Sequence, residues 1–270
     1  MHDHPSHHMP PASIGDWIPL VIIVFVGLLY SFGWAYVIWK KRNWNSARGI
    51  SFLIGTLLLF IAMWPDLVKW AHHDLRGHMV QHLLIGMFAP IFLVMGAPVT
   101  LALKTCSKNI AEGITYLLRS FFFHIISHPL TAMFLNLGGM YVLYLTPIYN
   151  ATIEYPILHH AIHIHFLMAG YLFTWAIIGP DPAPARPGLV TRLAVLFASI
   201  AAHAFLSKLM YAHLYPLNSP HGKEEIQEAA KLMYYWGDLS EFILIIILFA
   251  LWYYKRGRPG YDLSPLLKWS

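Results

Sequence analysis

The chain has 270 residues, 57% of them hydrophobic and only 11% charged. Soluble domains carry about 25% charged residues, so this composition excludes an ordinary soluble protein and belongs to a membrane protein. The formal net charge of +5 comes without a basic stripe or a nucleic-acid-binding module, which sets nucleic acid aside as a partner. Cys106 stands alone, which excludes a disulfide framework and a paired-thiol metal site.

The chain opens on MHDHPSHHMPP, which carries His2, His4, His7, His8 and Met9. It lacks the positive n-region of a leader, and the first apolar run is too long for a signal h-region, so no cleavable signal peptide is expected. Irregular His/Met spacing in a flexible segment suits loose capture of copper or nickel, and equally describes a solvated tail.

A bilayer core needs about 20 apolar residues per helix. On that length the sequence predicts about seven spans: Trp17–Lys40, Ile50–Trp70, Met79–Leu103, Pro129–Pro147, Pro156–Gly179, Leu189–Tyr211 and Leu232–Lys255. The fold class expected is therefore an all-α polytopic membrane bundle. A His/Met-rich tail (1–15) precedes a seven-helix domain (16–256), and a C-terminal tail (257–270) follows. The basic stretches KKRNWNSAR, KTCSKN, DPAPARPGLVTR and KRGR follow the first, third, fifth and seventh spans. By the positive-inside rule these are cytoplasmic, which puts the N-terminus outside and the C-terminus inside. Proline after the fifth span stops that helix, so PDPAPARPG reads as structural. HGKEEIQEAAK, with Glu224, Glu225 and Glu228, reads first as a solvated charged turn, and otherwise as a short helical lid or a docking surface.

At about 1.5 Å rise per residue, the costly polar side chains collect in one leaflet. His78 sits at the outer boundary of the third span and His82 about 6 Å below it. His159, His160, His163 and His165 fill the first 13 Å or so of the fifth span. His203 lies about 12 Å down in the sixth span with Met210 near its mouth; Asp238 and Glu241 lie at about 9 and 13 Å in the seventh. Intramembrane ionisable groups are expensive and face the bundle interior, paired or bound to something.

His78 and His82, four apart, project from one helical face, the spacing used for two imidazoles on one metal. His159 and His163 repeat it. His165 points to roughly the opposite side and meets a neighbouring helix or its own hydrogen-bond partner. His203 and Met210, seven apart, share a face. Asp238 or Glu241 could ligate, orient a ligating histidine, or pair with Lys208. Each pair alone is also what a hydrogen-bonded interfacial histidine would give; convergence is what points to a metal. Imidazole suits copper, zinc, iron and nickel, and thioether sulfur favours Cu(I), so copper is the preferred ion and zinc stays open. The stripe of Met79, Met87 and Met95 reads as flexible core filling.

The runs HMVQHLLIGMFAPIFLVMGAPVTLAL from His78, HIHFLMAGYLFTWAIIGPDPAPARPG from His163 and HAFLSKLMY from His203 together resemble the CtaG-type cytochrome c oxidase assembly factors of bacteria. The likeness runs from the first span to Asp238. It implies a multi-pass protein of the bacterial plasma membrane that helps mature a haem–copper oxidase by supplying copper from its extracytoplasmic side. Partners would then be oxidase subunits and an extracytoplasmic copper donor. It also implies a role without substrate turnover, and carries over to His78, His82, His163, His165 and His203. The family commonly has an Asp-Gln pair in the seventh span, where this chain reads GDLSEF and Glu241 stands as the substitute.

Two other classes fit part of the pattern. A haem-binding electron-transfer protein could use His82 with His163 or His203 as axial ligands. A copper transporter should mark both leaflets with polar or broken-helix sites, and this sequence marks chiefly one. An intramembrane zinc hydrolase lacks the His-Glu-x-x-His run.

Overall fold

The computed structural model describes residues 14–183 and 186–256, so the His/Met tail and the C-terminal tail lie outside the described residues. The described residues fold as helices, without a strand. In chain order these are α1 (Ile14–Trp39), α2 (Ser46–Ala62), α3 (Pro65–His73), α4 (Leu75–Leu83), a π-helical turn (Leu84–Phe88), α5 (Ala89–Met95), α6 (Pro98–Thr105) and α7 (Lys108–Leu118). There follow α8 (Phe121–Ile126), α9 (Pro129–Leu145), α10 (Ile148–Glu154), α11 (Pro156–Ile178), α12 (Leu189–His213) and α13 (Lys223–Arg256).

Among the described residues, five helical stretches are long and apolar enough to cross a membrane, and up to seven if two bent pairs each count as one span. One pair is α2 with α3, bent by 54°; the other is α9 with α10, bent by 77°. Pro65 begins α3 and explains the first bend, since proline removes a backbone donor and clashes with the preceding turn. Five of the seven expected spans are thus recovered with shifted ends, and the second and fourth only as bent pairs. The third runs Leu75–Met95, because Asp74 caps its start through the amide of Arg76 (2.8 Å). It stops before Leu103 because Ala97 takes a left-handed conformation, φ 50°, and Pro98 starts a new helix.

That third span is the axis of the bundle. α5 packs on α2, α4 on α13, and the π-helical turn on α11. Glycines permit the closest crossings: a Cβ on Gly170 of α11 would lie 2.0 Å from the carbonyl oxygen of Gly86. Two buried apolar clusters result. The larger joins the third span to α9, α11, α12 and α13. The smaller is built by α1, α2, α5 and α6 around Tyr30, which stacks on Phe52 and donates to the carbonyl of Gly96 (2.7 Å). α1 is peripheral, with Val21, Phe25, Leu29 and Phe32 exposed as a face suited to lipid.

The basic loops gather at one end. Lys104 donates to the carbonyl of Asn43 (2.8 Å), and Arg42 donates back to the carbonyl of Lys104. The loop after α11 joins them and is more than a helix stop. Buried Asp181 accepts from the amide (2.7 Å) and hydroxyl (2.5 Å) of Thr100 and from the amide of Val99 (3.3 Å), closing the first turn of α6. Arg186 donates to the carbonyls of Gly179 and Asp181 and lies over the Trp175 ring. Burial pushes the Asp181 carboxyl up, while these hydrogen bonds pull it part of the way back.

The charged segment 223–231 is neither a solvated turn nor a separate lid. It is the opening of the 34-residue α13. Glu225 turns inward, accepting from the amide of Leu75 (2.5 Å) and pairing with Nδ1 of His221 (2.6 Å).

Candidate metal centre

Opposite the basic loops, α3, α4 and α11 bring histidines together. His78, His159 and His163 are all buried. The rings of His159 and His163 are 4.2 Å apart between centroids, and the His78 ring is 6.3 and 6.4 Å from them. His72, near the end of α3, stacks on His159 at 4.3 Å. The i, i+4 spacing on α11 puts two imidazoles on one face, and the fixed crossing of α4 delivers the third. The Nε2 atoms of His78 and His159 are buried without a hydrogen-bond partner among the described residues. An unsatisfied buried donor or acceptor costs about 1–3 kcal/mol, so each of these nitrogens is stabilised by whatever partner it meets.

His82 does not share this nest with His78. One turn further on, its Nε2 lies 3.1 Å from the sulfur of Met140 and its ring meets Phe166 edge-on at 4.5 Å. It is also within electrostatic reach of His203. The π-helical turn that begins two residues later widens the helix immediately beside it, and such turns often accompany functional positions.

The remaining expected ligands separate. On α12, His203 is fully buried and faces α13, where one ligand atom each from His203, Asp238 and Glu241 lie within 4.8 Å of one another. Met210 is fully buried in the larger core. It sits about 10 Å further along the axis than His203, more than a single coordination sphere spans. His165 lies on the other side of α11, its Nε2 3.2 Å from the carbonyl oxygen of Leu135 and its ring against Gly139. Two residues of helix turn it about 160° away from His163, so geometry removes it from the nest. His160 is exposed, its ring 6.1 Å from that of His159.

Sequence reading missed several members. His72 was legible as part of the His72–His73 pair closing the second span. Tyr149 touches the His78 ring at 5.2 Å, and its hydroxyl meets Nε2 of His221 at 2.8 Å. Nothing in the local pattern announces either Tyr149 or His221, because both come from connections between spans. Met140 is one methionine of an apolar helix and gives no signal of its own.

The model of a known family, described as cytochrome c oxidase caa3 assembly factor, matches residues 28–255. The chain belongs to the caa3-type CtaG family. Among CtaG-matching residues are both histidine groups and the Asp181 loop, so the two ends of the bundle lie within the matched region. The chain is also similar to uncharacterized proteins of Mycobacterium leprae (34% identical over 189 residues) and Mycobacterium bovis (35% over 189). A Mycobacterium tuberculosis protein matches equally, at 35% over 189 residues. In each case the match takes in 67% of this chain and 29% of the relative, so this CtaG chain corresponds to a minor part of those longer proteins. No solved structure matches the chain.

Proposed function

We propose that this CtaG protein binds copper in the nest of His78, His159 and His163 and passes it to a subunit of a haem–copper oxidase. The observation that carries the reading is the pair of buried, unpartnered Nε2 atoms on His78 and His159, held beside His163. Imidazole donors accept copper, and the thioethers nearby, Met79 behind Tyr144 (4.0 Å) and Met140 beside His82 (3.1 Å), favour the cuprous ion. A small cavity of about 20 Å³ lies beside His159 and His163, on the side of Gln81 and His160.

Delivery requires no bond-making in a substrate. Copper moves between imidazole and thioether ligands as a client ligand approaches, so catalysis is replaced by ligand exchange. The nest lies at the end of the bundle opposite the basic loops, and the positive-inside rule supports the reading that this end faces the extracytoplasmic side of a bacterial plasma membrane. There it is accessible to an external donor and to the oxidase.

The test is copper content and Cu(I) affinity of the full-length protein in detergent, for the wild type and for His78→Ala/His159→Ala. Loss of copper in the variant, with thermal unfolding still cooperative, is expected. Equal copper in both, or none in the wild type, overturns the reading.

A further inference from the structure

We propose that His203, Asp238 and Glu241 form a second metal site, distinct from the histidine nest, which takes a divalent transition-metal ion through one imidazole and two carboxylates. This goes beyond the copper reading and stands independently of it.

One turn of α13 supplies both carboxylates and the space between them. A Cβ at Gly237 would lie 2.0 Å from Cε1 of His203, so glycine there is what lets the ring lie against the helix backbone. Asp238 and Glu241 follow at the next position and three residues beyond that, flanking the ring. Across from them, Ser199 sits one turn before His203 and donates to Oε1 of Glu241 (3.0 Å). That bond orients the carboxylate and leaves its other oxygen directed elsewhere.

Four of the unpartnered buried atoms among the described residues belong to this group. Neither ring nitrogen of His203 has a hydrogen-bond partner among the described residues, and the same is true of Oδ1 of Asp238 and Oε2 of Glu241. His203 is 0% exposed and Glu241 2%. A buried imidazole ordinarily satisfies at least one nitrogen, and a buried carboxylate is paired or coordinates a metal. The nearby cation, Lys208, lies over the Tyr234 ring at 5.5 Å. A divalent ion would satisfy one nitrogen and two carboxylate oxygens together.

The donor set also separates the two sites chemically. Two carboxylates and one imidazole are harder than three imidazoles flanked by thioethers, so the trio disfavours Cu(I) and suits an ion such as Zn²⁺. The α12–α13 site and the nest at the α4–α11 end are thereby filled by different ions.

The experiment uses full-length, chelator-stripped protein in detergent, titrated with Co²⁺ alone and followed by its visible d–d absorption, with Zn²⁺ displacement and elemental analysis as second readouts. His78→Ala/His159→Ala should keep the Co²⁺ spectrum. Glu241→Gln, nearly isosteric and able to keep the Ser199 bond, should weaken Zn²⁺ binding by more than about tenfold. Asp238→Asn, at a half-buried position, gives the same readout if Glu241→Gln fails to fold. The proposal is overturned by equal Zn²⁺ affinity in wild type and folded carboxamide variants, or by absence of Co²⁺ binding in the wild type. It is equally overturned if those variants change only thermal stability, which would mean a hydrogen-bonded carboxyl network. Absence of copper binding in the wild type, or copper binding unchanged in His78→Ala/His159→Ala, with Zn²⁺ binding to the trio intact, would sink the copper reading and leave this one standing.

Discussion

Replacing Gly170 by alanine tests the crossing on which the histidine nest depends. The added Cβ would lie 2.0 Å from the carbonyl oxygen of Gly86 and 2.9 Å from its carbonyl carbon. Cβ atoms do not approach backbone oxygen closer than about 3 Å, so α11 and the π-helical turn must part by about 1 Å at this point. No flexible side chain can absorb the displacement, because the obstacle is backbone. Overpacking of this kind costs about 1–3 kcal/mol. It also carries His163 away from His78, whose rings are 6.4 Å apart, and metal–ligand distances tolerate about 0.2 Å. Gly86→Ala is the control at the same crossing, since a Cβ there meets its nearest neighbour, Cε1 of His82, at an ordinary 3.6 Å. Thermal unfolding in detergent and Cu(I) competition should show Gly170→Ala destabilised and weakened in copper binding, with Gly86→Ala close to wild type. Equal behaviour of the two variants would refute the packing argument.

His165→Ala should leave copper content unchanged and lower stability by about 1 kcal/mol through loss of the contact with the Leu135 carbonyl; copper loss equal to that of the nest variant would restore His165 to the ligand set. Asp181 makes a prediction about pH. Burial raises its folded value above the unfolded one, so the stability linked to its protonation is fully present below the unfolded value of about 4 and lost as pH rises through the folded value. The unfolding temperature of the wild type should therefore fall relative to that of Asp181→Asn as pH rises above about 4. Parallel pH profiles would contradict the assignment.

Apolar length and loop charge made the spans legible, since both are local properties of the sequence. Their ends were less so. The early start of the third span depends on the Asp74 cap, and its early stop on a left-handed Ala97, although Pro98 was there to be read as a new start. The histidine spacings correctly flagged two helical faces. They could not show that His78 and His82, which share Tyr144, otherwise diverge, His78 toward His159 and His163 and His82 toward Met140 and Phe166, because that is decided by which helix crosses at each turn. For the same reason a single expected constellation resolves into a nest and a separate trio. Glu241, read as a substitute for Asp238, stands beside it instead. Glu225 looked like surface charge because its partners, the amide of Leu75 and His221, are distant from it in the chain or in role.

The axial helix is fastened at both extremities. Asp74 and Glu225 hold its opening amides, while Tyr30 grips Gly96 and Asp181 secures the segment that follows. A rod pinned this way yields at its weakest joint, and the five-residue swelling from Leu84 to Phe88 is where its hydrogen-bond ladder is least regular. Strain between the two fastened ends would therefore be taken up there, between the turn that carries His82 and the segment gripped at Gly96.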